Sequence, residues 1–454
     1  MISAPTSPDP TCILNIEAAS PGGVPALVEF IYSLMLEWGN APTIYRTQFT
    51  SSNLTLPQRI LQTLIHWRPE EIQDRGFHTV IVPAPPFPLW LFYAVPHFLF
   101  GSLLGNYDTA FVASGSAHVA LPLAARGIPY TLWVATLYED ELRAKSSAGD
   151  QWAENVLQSP LWPLLKLQER FVLQSAAKIL ALSPYTTRRI REEFPETEER
   201  LETVIYPVDI RRFQPNTATR ENSSYVHVLL AAARLNDPRK NIPLLLNAFA
   251  IIHREMPDCH LILVGDVPGH ELMSLVDMLG LNYAVDFPGI VDNDELLRLY
   301  QSADLFVLPS KQEGLGIVLL EAIACGTPVI TTAYGGPEGI VLNGITGYHL
   351  DSQTDAAELA QVIINLLSDN LKLEEMHKKC VEFAHQHFAL EHVALQIRDG
   401  FEAAKNRQAS FRLRNILAVI WSFIIIAAYI QHQVVLHWNA IQSSILDPLL
   451  NILQ

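Results

Sequence analysis

The sequence predicts an α/β protein on parallel sheets, made of two similar halves joined by a linker and followed by an apolar helical tail. Three observations carry that expectation. Short apolar runs alternate with glycine-bearing turns and helix-length segments, which is how a parallel sheet reads. The alternation stops at residues 214–224 (QPNTATRENSS), a polar stretch without apolar periodicity, and then restarts. At 454 residues the chain also exceeds the roughly 250–300 residues that one hydrophobic core organises.

Element by element, a strand at 13–16, the turn Pro21-Gly22-Gly23 and a helix over 25–38 open the first half. Further strands are expected at 79–82, 110–113, 130–135 and 178–182. Beyond the linker the order is strand 226–232, helix 242–254, strand 260–264, helix 272–279 and a short strand at 286–287. Helix 294–301, strand 305–308, helix 317–325, strand 329–332 and helices from Asp355 onward follow. The expected domains are 1–213, a linker at 214–224, 225–390, a connecting helix at 391–410 and a tail at 411–454. In open parallel sheets ligands sit beyond the carboxyl ends of the strands, so the loops after strands should face a cleft between the halves.

Composition narrows the function classes. Hydrophobic residues make up 49 % and charged residues 17 %, which excludes disordered and collagen-like chains. With 31 Lys and Arg against 47 Asp and Glu the net charge is −16, so there is no general attraction to phosphate backbones and nucleic acid is not an expected partner. Cys12, Cys259, Cys325 and Cys380 have no metal-ligand spacing and read as reduced, buried residues. Residues 1–10 lack a basic region with an apolar stretch behind it, so a signal peptide is not expected. Asn53-Leu54-Thr55 and Asn222-Ser223-Ser224 match the glycosylation sequon by spelling only.

Chemistry concentrates in the second half. Glu313-Gly314-Leu315-Gly316 follows the strand ending in Pro309-Ser310 and opens a helix that carries Glu321. Glycines at a helix start expose backbone N–H groups, which together with the helix dipole attract phosphate. Glu321, about one turn in, could accept two hydrogen bonds from vicinal hydroxyls such as those of a ribose, and Glu313 could hold a sugar hydroxyl. An ordinary strand–turn–helix explains the same segment. Arg234 and Lys240 follow the strand at 226–232 and are placed to clamp a diphosphate, the alternative being a solvated basic loop.

These segments, with Gly265-Asp266, Phe287-Pro288-Gly289, residues 303–310 (ADLFVLPS), 324–328 (ACGTP) and Gly335-Gly336, occur in the order seen in retaining glycosyltransferases of family 4. The similarity is strong over 226–350 and weaker over 12–213, where it includes Gly22-Gly23, 179–183 (ILALS) and 208–215 (VDIRRFQP). What the resemblance implies is a GT-B fold, two Rossmann-like domains facing a cleft. It implies a nucleoside diphosphate sugar held mainly by the second domain, no cofactor, and a metal-independent transfer of a hexose-type sugar with retention. By that analogy Glu321 binds the ribose, Glu313 and the backbone of Gly314, Leu315 and Gly316 the sugar, and Arg234 and Lys240 the diphosphate. Gly22 and Gly23 would let a first-domain loop approach the diphosphate, which needs residues without a Cβ.

The chain also departs from the family pattern. Ala135 stands where many relatives have a His, and His118, after Ser114-Gly115-Ser116, is the substitute candidate for a catalytic contact. Glu338 falls one place early after Gly335-Gly336. Asp292-Asn293-Asp294 spells the DxD of metal-binding glycosyltransferases, but Glu295 three residues after Asp292 makes it a capping box, and no metal site is expected.

Residues 416–430 (ILAVIWSFIIIAAYI) carry no charge, and extending the segment to Trp438 gives a borderline membrane span or a surface-lying or buried helix. Arg407, Arg412 and Arg414 precede it, which would put the body on the cytoplasmic face, the alternative being a soluble cytoplasmic protein. A second apolar stretch, 87–104, is broken by Pro88 and Pro96 and reads as a lipid-facing surface or a core helix. The expected partners are thus a nucleotide-sugar donor, a glycan or lipid-linked acceptor and a membrane contacted by the tail. The alternatives are a catalytically silent subunit of the same fold and a sugar-nucleotide epimerase.

Overall fold

The computed structural model describes residues 9–14, 23–48, 69–74, 76–83, 107–147, 149–160, 162–216, 227–313, 315–332, 334–351 and 353–407. The linker stretch 217–226, the apolar stretch 87–104, both sequons and the tail 411–454 lie outside the described residues. Among the described residues no helix is long and apolar enough to cross a membrane.

The first sheet has eight strands: β1 (Asp9–Leu14), β2 (Asn40–Gln48), β3 (Glu70–Asp74), β4 (Phe77–Pro83), β5 (Ala110–Ser114), β6 (Tyr130–Val134), β7 (Lys178–Ala181) and β8 (Leu201–Thr203). Their order is β3-β4-β2-β1-β5-β6-β7-β8. β1 runs parallel to β2 and β5, β2 runs parallel to β4, and β3 is paired antiparallel with β4. Each residue of β5 and β6 is buried, as expected of strands covered on both faces.

The second sheet is formed by β9 (His227–Ala232), β10 (Cys259–Val264), β11 (Val285–Gly289), β12 (Leu305–Leu308), β14 (Val329–Thr331) and β16 (Gly347–His349). Every neighbouring pair in its order β11-β10-β9-β12-β14-β16 is parallel. Its core packs Leu229, Leu261, Leu263, Leu305 and Val307 of the strands against Leu245, Phe249 and Ile252 of helix Ile242–Glu255. Two short strands, β13 (Gln312–Glu313) and β15 (Tyr334–Gly335), pair with each other.

The described chain divides into two compact units. The first holds residues up to Leu132, Asn155–Ile179 and those from Phe401 on; the second holds Trp133–Glu154 and Leu180–Gly400. The elements expected in the second half are found within a residue or two, whereas β1 lies four residues earlier than the strand read at 13–16. Asp292 caps helix Asn293–Ser302, its carboxylate accepting from the backbone N–H groups of Asp294 at 3.0 Å and Glu295 at 2.8 Å. Those bonds, Glu295's first, hold its pKa below the ordinary carboxylate value. The carboxylate is thus spent on the helix end.

Candidate functional site

Two loops of the second unit bring the expected residues together. After β9 the chain turns through Arg234 to a short 3-10 turn, Pro238–Lys240. The turn is capped by Asp237, which accepts from the Arg239 backbone N–H at 3.0 Å. Burial alone would raise the Asp237 carboxyl, but hydrogen bonds from Arg239 and the charges of Arg239 and Arg234 outweigh it and leave the pKa lowered. Asp266, after β10, supports the same loop by accepting from the Leu235 N–H and from the Asn236 side chain. This gives Gly265-Asp266 a mechanical role: it fixes the path of the chain beside Arg234.

The second loop leaves β12 at Pro309. Its Lys311 N–H donates to the Arg239 carbonyl at 2.8 Å, which ties the two loops and sets Lys240 against Glu313. Lys240 donates its ammonium to Glu313 Oε1, and the Ser310 hydroxyl donates to the same oxygen at 2.7 Å. Both side chains are largely buried, 16 % exposed for Lys240 and 9 % for Glu313. The Glu313 carbonyl accepts from the Gly336 N–H at 2.8 Å. At Gly335, φ is +109° and a Cβ would lie 2.8 Å from that carbonyl, so a side chain has no place there. Gly335 is therefore required for β13 and β15 to meet.

Gly314 lies outside the described residues. Leu315 is buried at 4 % exposure, so its apolar side chain serves packing and only its backbone could face a ligand. Gly316 has a φ of +77° and precedes helix Ile317–Ala324. One turn into that helix Glu321 is partly buried, and Tyr300 donates its hydroxyl to Glu321 Oε2 at 2.8 Å. Burial pushes the Glu321 carboxyl up to about 7, against the opposing pull of that hydrogen bond and of the Arg212 charge. The Tyr300 phenol is pushed well above its ordinary value by its own burial and by Glu321.

Arg234 stands apart, its side chain 68 % exposed and paired with Asp237 at 3.1 Å. His118 lies inside the first unit. It is 1 % exposed, and both ring nitrogens are engaged within the first unit: Nε2 lies 3.0 Å from the Leu165 carbonyl and Nδ1 lies 3.2 Å from the Ser116 hydroxyl. A carbonyl only accepts, so Nε2 carries the proton and Nδ1 accepts. In this arrangement the ring holds a buried turn. Of the glycine pair, Gly22 lies outside the described residues and Gly23 opens helix Gly23–Glu37. Ala135 has only its carbonyl engaged, by the Thr186 hydroxyl at 2.7 Å. Glu338 accepts from Arg188 at 2.7 Å.

Sequence reasoning missed Tyr300, Ser310 and Arg212. The first two stand in or beside the ADLFVLPS run and Arg212 in the VDIRRFQP run, so the signal was present without a partner assigned to it. Among the described residues no group of His, Cys, Asp and Glu is arranged to hold a metal ion.

A family model described as Glycosyl transferases group 1 matches residues 219–387, and one described as Glycosyltransferase Family 4 matches 60–212. The chain belongs to the family 4, group 1 glycosyl transferases. Spore coat protein SA of Bacillus subtilis is 30 % identical over 254 residues, which are 52 % of this chain and 67 % of that protein. A D-inositol 3-phosphate glycosyltransferase of Mycobacterium sp. is 29 % identical over 46 % of this chain and 49 % of its own. A GDP-mannose-dependent alpha-(1-6)-phosphatidylinositol monomannoside mannosyltransferase of Mycolicibacterium smegmatis is 32 % identical over 46 % and 57 %. The chain spans about half to two thirds of the length of these relatives.

Among solved structures, sucrose-phosphate synthase from Thermosynechococcus elongatus superposes with a TM-score of 0.68 at 21 % identity, covering 87 % of this chain and 98 % of that one. Anabaena Alr3699/HepE in complex with UDP-glucose superposes at 0.62 and 18 % identity, covering 87 % and 99 %. At these identities the likeness speaks for the fold, which is the α/β GT-B glycosyltransferase fold with parallel sheets.

Proposed function

We propose that this chain moves a sugar from a nucleoside diphosphate to an acceptor hydroxyl with retention at the anomeric carbon, without a metal or cofactor. The observation that carries the reading is the buried Lys240–Glu313–Ser310 group one glycine turn away from Glu321. An incoming diphosphate competes with Glu313 for the Lys240 ammonium, a compact cation suited to a phosphate oxygen. Glu313, released from part of that contact, can accept from a sugar hydroxyl. Glu321 receives the vicinal ribose hydroxyls, and Arg234 reaches the diphosphate from its exposed position.

In the step itself the bond from the anomeric carbon to the diphosphate oxygen breaks. The acceptor oxygen bonds the same face of that carbon, and the acceptor proton passes to the departing diphosphate. The protein's part is to hold the diphosphate charge and to orient the sugar. That HepE is described as binding UDP-glucose supports a sugar nucleotide as donor. The names of two relatives, with inositol phosphate and phosphatidylinositol acceptors, support a glycan or lipid-linked acceptor.

Calorimetry with UDP, GDP and ADP, followed by incubation with labelled sugar nucleotides and a membrane extract, tests the reading. Binding of one diphosphate and transfer of label to an extractable product are expected. A rival reading, a donor-binding subunit without turnover, is raised by Ala135, and binding without transfer would favour it. If residues 411–454 anchor the body to a membrane, a form ending at residue 410 keeps diphosphate binding and loses transfer mainly on membrane-embedded acceptors.

A further inference from the structure

The second unit holds a cavity of about 790 Å³ beside the donor loops. Its walls come from helix Tyr138–Ser147, helix Pro184–Glu193 and the residues Asn241 and Lys311. Asn241 directly follows Lys240, and Lys311 lies two residues before Glu313, so the cavity opens next to where the transferred sugar would lie. Its lining includes four cations, Arg143, Arg188, Arg189 and Lys311, and two acids, Asp140 and Glu192, while Glu139 and Glu338 pair with Arg143 and Arg188.

Both acids are already served. Arg189 donates its Nε to the two Asp140 oxygens at 3.3 and 3.2 Å and its Nη1 to Glu192 at 3.2 Å. The other cations stay open to solvent. Arg143 gives Nε and Nη2 to Glu139 Oε1, at 2.9 and 2.6 Å, and its side chain stays 66 % exposed. Arg188 gives Nη2 to Glu338, lies 5.3 Å from the Tyr185 ring centre and stays 49 % exposed. Lys311 is exposed and has no ion-pair partner among the described residues.

An exposed ammonium beside two solvent-facing guanidinium forks suits the oxygens of a phosphate. The volume is far larger than one phosphate and falls in the range of sites for small organic ligands. We propose that this cavity receives a phosphate ester carried by the acceptor, held by Lys311, Arg143 and Arg188. The acceptor class is then a phosphorylated polyol or sugar, either free or as a phospholipid headgroup. This rests on the transferase reading and adds to it the charge that the acceptor must carry.

The test uses the full chain saturated with whichever nucleoside diphosphate binds, so that the Lys240 site is filled. Glycerol 3-phosphate is titrated by calorimetry into wild type, Lys311→Gln, Arg143→Gln and the double variant. Each single change should weaken glycerol phosphate roughly tenfold, the loss of one charge-assisted contact, and the double change should weaken it more, while diphosphate affinity stays unchanged. Sedimentation with phosphatidylcholine vesicles containing phosphatidylinositol separates the two sources. Binding that glycerol phosphate displaces points to a headgroup, and soluble binding without vesicle binding points to a free acceptor; both uphold the proposal. Equal affinity in all four proteins, or no glycerol phosphate binding to the loaded protein, overturns it. If no nucleoside diphosphate binds, the transferase reading fails separately. The same titration into unloaded protein, with Lys240→Met and Glu313→Gln together as the background, then decides the cavity on its own.

Discussion

Glu313 and Glu321 stand eight residues apart on either side of one glycine turn, yet the fold treats them oppositely. Glu313 meets a cation, the Lys240 ammonium, and a hydroxyl donor. Glu321 meets only a neutral donor, the Tyr300 phenol, with Arg212 acting at a distance, and burial pushes its carboxyl up to about 7. The difference teaches that the position of an acid in a motif does not set its charge; the partner supplied from elsewhere in the chain does. One acid is stored as half of an ion pair. The other is poised to lose its proton when a ligand offers hydroxyl groups.

The largest effect should come from removing the cation. Lys240→Met leaves a largely buried carboxylate without its counter-charge, which costs about 3–5 kcal/mol of stability, and Lys240→Met with Glu313→Gln should recover most of it. Urea unfolding of the two variants measures this. An unchanged midpoint for the single variant would mean that water reaches Glu313, and the contrast would collapse.

The second effect is a pH dependence. Glu321 has a folded-state pKa of about 7 against an ordinary 4.5, so the folded form holds the proton more tightly. Its contribution to stability is therefore complete below about pH 4.5 and is lost as pH rises through about 7, a change of order 1–3 kcal/mol. Glu321→Gln should remove that part of the slope, being level with wild type in acid and more stable at about pH 8. Diphosphate binding should show the reverse sense. If the ionised carboxylate accepts the ribose hydroxyls, nucleoside diphosphate affinity rises with pH through about 7 in wild type and stays flat in Glu321→Gln, as calorimetry in two buffers can show.

Tyr300→Phe should cost about 1 kcal/mol and move that midpoint to higher pH, because the hydroxyl that favours the ionised form is gone. A midpoint that stays put would sever Tyr300 from Glu321. Smallest of all, Arg234→Ala should change stability by no more than about 0.5 kcal/mol, since its side chain is exposed and Asp237 keeps its pair with Arg239. A loss of diphosphate affinity without a loss of stability would mark Arg234 as a ligand contact; loss of neither would leave the diphosphate to Lys240 alone.

Much of the second half was legible because its strands are unbroken apolar runs such as Leu305–Leu308 and its helices start with caps such as Asp292 and Asp355. The first half was less so. β2 begins Asn-Ala-Pro, and β3 is EEIQD, an acidic sequence with a single apolar residue; its exposed antiparallel place leaves no burial pattern to read. The candidate acids could be found from their motif, but their partners could not. Lys240 and Glu313 are 73 residues apart and Tyr300 and Glu321 are 21 apart, and no local period encodes such meetings. A His after Ser at a helix start looks the same in the sequence whether its ring turns to a ligand or, as His118 does, to the Leu165 carbonyl.

The buried thiols have a use of their own. Cys259, Cys325 and Cys380 are free and buried, and burial foremost pushes Cys259 and Cys325 up to about 12. At neutral pH such groups are inert to alkylating reagents while the fold is closed, since the thiolate is the reacting species. Cys325 lies at the end of the helix that carries Glu321, and Cys259 begins β10, one strand in from the β11 edge of the sheet. The rate at which each takes up a label, followed by mass, therefore clocks how often that part of the second unit opens. The native chain carries its own reporters, one at the candidate site and one in the scaffold that holds it.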